Sequence, residues 1–182
     1  MTSLQSAYLD IRTLGSSVPI RAAYEVSNDW LLCAPTSVKY VIGKGIGTGK
    51  VRRVIDERLS SAGLTPATLV HPAATLGHGV RICEGLVICA GVRATTNISL
   101  GRHVRLNLNT TLGHDCTIED YVTVNPLVAI SGGVTIGTET MLGTHSAVLQ
   151  NLAVGERSVV GAGSCVVRDV PDDTVVKGVP AR

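Results

Sequence analysis

Gly113-His114-Asp115-Cys116 is the stretch of this 182-residue chain whose residue types suit proton transfer. An unperturbed imidazole titrates at about pH 6.5 and so can take a proton near neutrality. The aspartate beside it can fix the ring, and the glycine before it lets a ligand come close. The other four histidines, His71, His78, His103 and His145, have no carboxylate next to them in sequence. Five cysteines, Cys33, Cys83, Cys89, Cys116 and Cys165, form neither CxxC pairs nor an even disulfide framework, which reads as free, mostly structural thiols.

What positions His114 is a repeat. An aliphatic residue or alanine returns at every sixth position from Val70, Leu76 and Ile82 through Leu106, Leu112 and Ile118 to Val166, making seventeen hexads. A second, smaller inward candidate follows four residues after each, as in Ala74, Thr110, Cys116, Thr140 and Val170. A fixed period of six is the mark of a parallel β-helix in which three hexads close one triangular coil, here five and two-thirds coils. A β-sandwich would place turns every 8–12 residues and let the register drift. His114 stands two residues after the inward Leu112, so its side chain is expected to leave the coil outward. Glycine follows the aliphatic position in seven hexads, among them Gly77, Gly113 and Gly137, as expected where corners need a permissive backbone. Aromatic residues are 3% of the chain and phenylalanine is absent, in keeping with a narrow interior of Val, Ile and Leu.

Before the repeat, Leu9 to Ile11 and Val18 to Ile20 suggest short strands. Val38 to Ile42 reads as a buried strand, and Val51 to about Ala62 as a helix with its apolar residues at Val51, Val54, Ile55 and Leu59, ended by Gly63. The glycine loop between them, Gly43 to Lys50, matches neither GxxxxGK[ST] nor GxGxxG, so a strand-to-helix turn is favoured over a phosphate cradle. The chain divides into a small α/β domain over residues 1–66 and a β-helix with a C-terminal cap over residues 67–182. From Arg168 the tail leaves the six-residue register. A parallel stack has open edges, so the tail is expected to cover one end and the N-terminal domain the other.

The formal charge of +2 gives no electrostatic case for nucleic acid or a membrane surface. No signal segment and no apolar stretch near the ~20 residues that span a bilayer is present, so a soluble, cytoplasmic protein is expected. No two histidines stand five residues apart, the spacing used by hexapeptide-repeat zinc hydratases, and no metal is expected.

Residues 38–182 resemble the bacterial sugar acyltransferases of the sialic-acid O-acetyltransferase and amino-sugar N-acetyltransferase group. The likeness rests on Ala67 to Ala74, on Asn107 seven residues before Gly113-His114-Asp115-Cys116-Thr117-Ile118, on Ser131 to Gly137, and on Asp169-Val170-Pro171 with Gly178 to Arg182. The resemblance implies a left-handed β-helix, acetyl-CoA as co-substrate, a small-molecule acceptor and a homotrimer. It implies His114 as general base with Asp115 beside it, and Gly132 with a backbone N–H near the thioester. Thr144 and Ala162 would line the pantetheine path, with Thr123 also on the cofactor side and Asn107 facing the acceptor. The chain departs from the group at Thr123, where a second histidine is common, and it begins after the usual first strand and its glycine-rich loop. The residues alone also leave open a β-helix enzyme with a changed donor or chemistry, or a non-catalytic binding or scaffold protein.

Overall fold

A computed structural model describes residues 39–43 and 48–182. The expected short strands at Leu9 to Ile11 and Val18 to Ile20, Cys33, and the middle of the glycine loop at 44–47 lie outside the described residues.

From Leu69 onward each hexad forms a two-residue strand, its first side chain turned out and its second turned in. Thr111–Leu112 is one such strand, with Thr111 exposed and Leu112 buried. The strands pair in parallel at an offset of eighteen residues, Thr111 with Arg93 and Ala129, Leu112 with Ala94 and Ile130. Three sheets result, of seven, six and five strands, which make the sides of a triangular coil. The corner after a strand of the seven-stranded sheet is termed the first corner, that after the six-stranded sheet the second, and that after the five-stranded sheet the third.

The interior is a column of stacked aliphatic side chains without rings: Ile88, Leu106, Val124, Leu142 and Val160 on one side, all fully or nearly fully buried. Each such side chain contributes about 1.5–3 kcal/mol by leaving water. Most of the smaller second positions are buried as well, and three of their hydroxyls donate to backbone carbonyls, whereas the buried Ser146 Oγ has no partner among the described residues. Thr110 Oγ1 donates to Asn107 O at 2.7 Å, Thr140 Oγ1 to Gly155 O at 2.6 Å and Ser158 Oγ to Pro171 O at 2.7 Å.

The corners differ from the sequence reading. The left-handed backbone falls three residues after the inward position, and mostly on residues other than glycine, such as Asn97 (φ 54°), Asp115 (φ 59°) and His145 (φ 60°). The glycines that follow the inward residue have another reason. A β-carbon on Gly113 would stand 2.5 Å from Gly132 N, and one on Gly143 2.5 Å from Ala162 N. They are small because the next coil passes directly beneath them.

The tail breaks the register without ending the winding. Val170 bridges to Val154 and Val176 pairs with Val160, an offset of sixteen residues in place of eighteen. Ala181 N then donates to Cys165 O at 2.8 Å, and Ala181 is buried against the core, so the tail does cover the C-terminal end.

At the other end only part of the N-terminal segment lies within the described residues. Val70 and Ile82, inward residues of the first coil, remain 43% and 44% exposed, and the described part of the N-terminal segment does not cover them. Strand Lys39–Tyr40 pairs in parallel with Thr65–Pro66 through helix α1, Gly49–Ser61, which lies instead along the third corner. The helix buries Gly49, Arg52, Asp56 and Leu59, while Val51 and Val54 face outward, contrary to the apolar face read from the sequence. The physical reason is its partner, a corner of charged and aromatic side chains. Asp56 accepts from Arg102 Nε at 2.6 Å, from Tyr121 Oη at 2.5 Å and from Tyr40 Oη, and contacts His103 Nε2 at 2.9 Å. His103 is stacked between the two tyrosine rings, with centroids 5.9 and 5.7 Å away. Arg53 pairs with Glu139 at 2.5 Å, and Gly49 permits a close approach, since a β-carbon there would meet Glu139 Cα at 2.6 Å. No helix among the described residues is long and apolar enough to cross a membrane.

Candidate active site

The second corner brings His114, Asp115 and Gly132 together. Strand Thr111–Leu112 ends in Gly113, and the turn that follows projects His114 outward and puts Asp115 in the left-handed region. His114 Nδ1 lies 2.7 Å from Asp115 Oδ2, with the two side chains 67% and 55% exposed. The second carboxylate oxygen accepts from Asn97 Nδ2 at 2.5 Å. These two contacts, Asn97 first and His114 second, hold the Asp115 carboxyl below the usual carboxylate range. An ionised carboxylate only accepts, so this contact is a hydrogen bond when His114 carries its proton on Nδ1, the tautomer that leaves the lone pair on Nε2.

One coil on, Gly132 stacks beneath the imidazole. A β-carbon there would stand 2.6 Å from Nε2, so the ring fills the space a larger residue would occupy. Gly133 N donates to His114 O at 2.8 Å, which ties the two turns together, and Gly132 O accepts from Asn151 N at 2.9 Å in the following coil. Cys116, two residues past the histidine, is not a nucleophile here. It is 1% exposed, its Sγ donates to Ser131 O at 3.1 Å, and burial pushes its thiol up.

The remaining residues singled out in the sequence lie elsewhere. Thr144 and Ala162 are exposed at the first corner, one coil apart. Thr123 is half-buried on the strand that leads into that corner, between Arg105 and Met141. Asn107 belongs to the same corner but is 4% exposed, and its Nδ2 donates to Val124 O at 2.9 Å. In a single copy of the chain its amide is therefore committed to the backbone ladder. First and second corners sit at opposite ends of the strands of the six-stranded sheet, so one chain does not bring these two groups together.

Asn97 was missed by sequence reasoning, although its position eighteen residues before Asp115 is one coil as the repeat counts it. The Asp56 cluster was missed too, for want of any local signal in Tyr40, Asp56, Arg102, His103 and Tyr121. A shallow hollow on the five-stranded sheet is lined by Arg81, Ser99, Gly101, Glu119 and Asp120, and none of the candidate site residues borders it. Among the described residues no three His, Cys, Asp or Glu side chains are placed to hold a metal ion.

No family model and no curated protein matches the chain. Solved structures do. The acetyltransferase domain of PglB from Neisseria gonorrhoeae is 31% identical, with a TM-score of 0.78 over 96% of this chain and 84% of that one. The same domain has been solved in complex with acetyl coenzyme A. Perosamine N-acetyltransferase from Caulobacter crescentus, solved with CoA and GDP-perosamine, is 31% identical at a TM-score of 0.74 over 75% of this chain. The match spans 65% of the length of that enzyme. WeeI from Acinetobacter baumannii is 27% identical at a TM-score of 0.77, over 85% of this chain and 74% of that one.

Proposed function

The chain belongs to the hexapeptide-repeat acyltransferase family, and from that premise we propose that it moves an acetyl group from acetyl-CoA to an amine of a sugar, with His114 as general base. The observation that carries this reading is the second corner, where an imidazole held by a carboxylate stands over a glycine backbone. The lone pair on Nε2 takes a proton from the acceptor amine as its nitrogen attacks the thioester carbonyl carbon. The new carbon–nitrogen bond forms, the carbon–sulfur bond breaks, and CoA leaves as the thiol with one proton. A positioned base of this kind contributes ~10²–10⁴-fold in rate. Asp115 holds the ring and steadies the imidazolium, and the Gly132 N–H is the donor for the developing oxyanion, a role worth on the order of 10²–10³.

Acetyl-CoA fits the first corner, where Thr144 and Ala162 are small and exposed and leave room for a narrow pantetheine arm. Thr123 borders that path, and Asn107 marks the acceptor side. A site that uses both corners takes one from each of two chains, which supports an oligomer with its sites between chains, and the family resemblance makes that oligomer a homotrimer with three sites. The exposure of His114 in a single chain points the same way, since a base two-thirds in water gains from a neighbour that excludes it. The reaction is assigned to the cytoplasm, where acetyl-CoA is available.

The test is thiol release from acetyl-CoA with a panel of amino sugars, free and nucleotide-linked, comparing the wild type with His114→Ala. Release that depends on one acceptor and falls at least about a hundredfold in the variant supports the assignment. No release with any acceptor, together with no CoA binding by calorimetry, sinks it.

A further inference from the structure

A carboxylate that is 55% exposed, on a residue with left-handed backbone, is free to turn about its own side-chain bonds unless something holds its other oxygen. For Asp115 that something comes from the preceding coil. Asn97 Nδ2 donates to Oδ1 at 2.5 Å while Oδ2 faces His114 Nδ1 at 2.7 Å, so both carboxylate oxygens are engaged on opposite sides. The backbone registers the two coils independently, since Asp115 N donates to Thr96 O at 3.1 Å. No other side chain among the described residues shares the two Asp115 oxygens.

We infer that Asn97 is a positioning residue for the base: its amide fixes the Asp115 carboxylate so that Oδ2 keeps the imidazole proton on Nδ1 and leaves the Nε2 lone pair over Gly132. The inference rests on the reading of His114 as base, and it deepens that reading by one coil. A purely structural explanation of Asn97 competes with it. The residue has φ 54°, a region asparagine tolerates better than most side chains, and could be present for its backbone alone. The two explanations part on chemistry. A backbone role is served equally well by glycine, which adopts that conformation without a side chain, and nearly as well by aspartate. An amide-donor role is lost in glycine and reversed in aspartate, which would set a second acceptor against Asp115.

The deciding measurement is the tautomer of neutral His114, read by nitrogen-15 NMR on the full chain with labelled histidine, its signals assigned by their loss in His114→Gln. The wild type is expected to show the proton on Nδ1. In Asn97→Gly the population moves toward the Nε2-protonated form, and in Asn97→Asp it moves at least as far, with the melting temperatures of both within a few degrees of wild type. In thiol-release assays kcat falls about ten- to a hundredfold in Asn97→Gly, while KM for acetyl-CoA stays within about twofold. A tautomer unchanged in both variants overturns the inference, whatever the rates do. Full activity in His114→Gln would instead remove His114 as base, and the NMR signal would still decide whether Asn97 orders the pair.

Discussion

His114 lies against Gly132 so closely that a β-carbon on the glycine would fall 2.6 Å from Nε2 and 2.8 Å from Cε1. The obstacle is the far end of a mobile side chain, which can swing away at little cost. Gly132→Ala is therefore expected to fold with a melting temperature within a few degrees of wild type and, if His114 is the proposed base, to lose about a hundredfold in kcat, because the imidazole no longer stands over Gly132. A thermal melt and a thiol-release assay on the same preparation check both halves.

Gly113→Ala meets backbone instead. Its β-carbon would stand 2.5 Å from Gly132 N and 2.7 Å from the Ser131 carbonyl carbon, and neither can move without opening the spacing between coils. The expected result is a loss of about 1–3 kcal/mol in stability, measured by chemical denaturation, accompanied by lower activity. The contrast between two neighbouring glycines separates a functional close approach from a structural one.

The proposed sharing of the site between chains predicts complementation. His114→Ala and Ala162→Trp should each be inactive alone, the second because the indole blocks the first corner. When the two are unfolded together and reassembled, about a quarter of the sites should carry an intact His114 from one chain and an intact Ala162 from another. If one chain supplied both corners, no activity would return on mixing.

The third corner should make stability depend on pH. Burial pulls the His103 imidazole below its ordinary value, against the opposing pull of Asp56. A group whose folded value is depressed contributes fully above its unfolded value of about 6.5, and that contribution is lost as pH falls from there through the folded value. Stability against urea is expected to decline as pH falls below about 6.5, and His103→Gln should flatten that slope.

Asp56 acts further into acid. Despite burial, which works the other way and is the largest single influence, hydrogen bonds from Arg102, Tyr121 and Tyr40 hold its carboxyl far below the usual range. Its contribution is present above about pH 4 and is withdrawn only as pH drops well below that. Asp56→Asn removes the charge that Arg102 and His103 face and should cost about 3–5 kcal/mol at neutral pH by denaturant titration.

Much of the architecture was legible because each hexad commits one side chain inward, so Leu106, Leu112 and Ile118 announce three faces in eighteen residues. The pairing of His114 with Gly132 could be counted off the same period. What could not be read were features set by a partner far away in sequence. The buried face of helix α1 is Arg52 and Asp56 rather than valine, because it meets a charged corner and not an apolar one. Asn107 shows the same limit on a smaller scale, since its spacing from His114 is visible in sequence but the turn of its amide into the ladder is not. The two residues dropped between Val166 and Val176 look like the end of the winding, yet pairing of Val176 with Val160 continues it.

The eighteen-residue offset also makes chain length an independent variable for the lineage of this protein. Duplicating or deleting one whole coil far from His114 copies a unit that already fits its neighbours, so the stack can grow or shrink while the His114 corner keeps its surroundings. A single inserted residue inside a strand has the opposite effect, turning every inward side chain of that coil to the outside. Genetic change in such a scaffold is thus expected to arrive in blocks of eighteen or as loops extruded at the corners, and the distance between His114 and the chain terminus can drift without changing the corner itself.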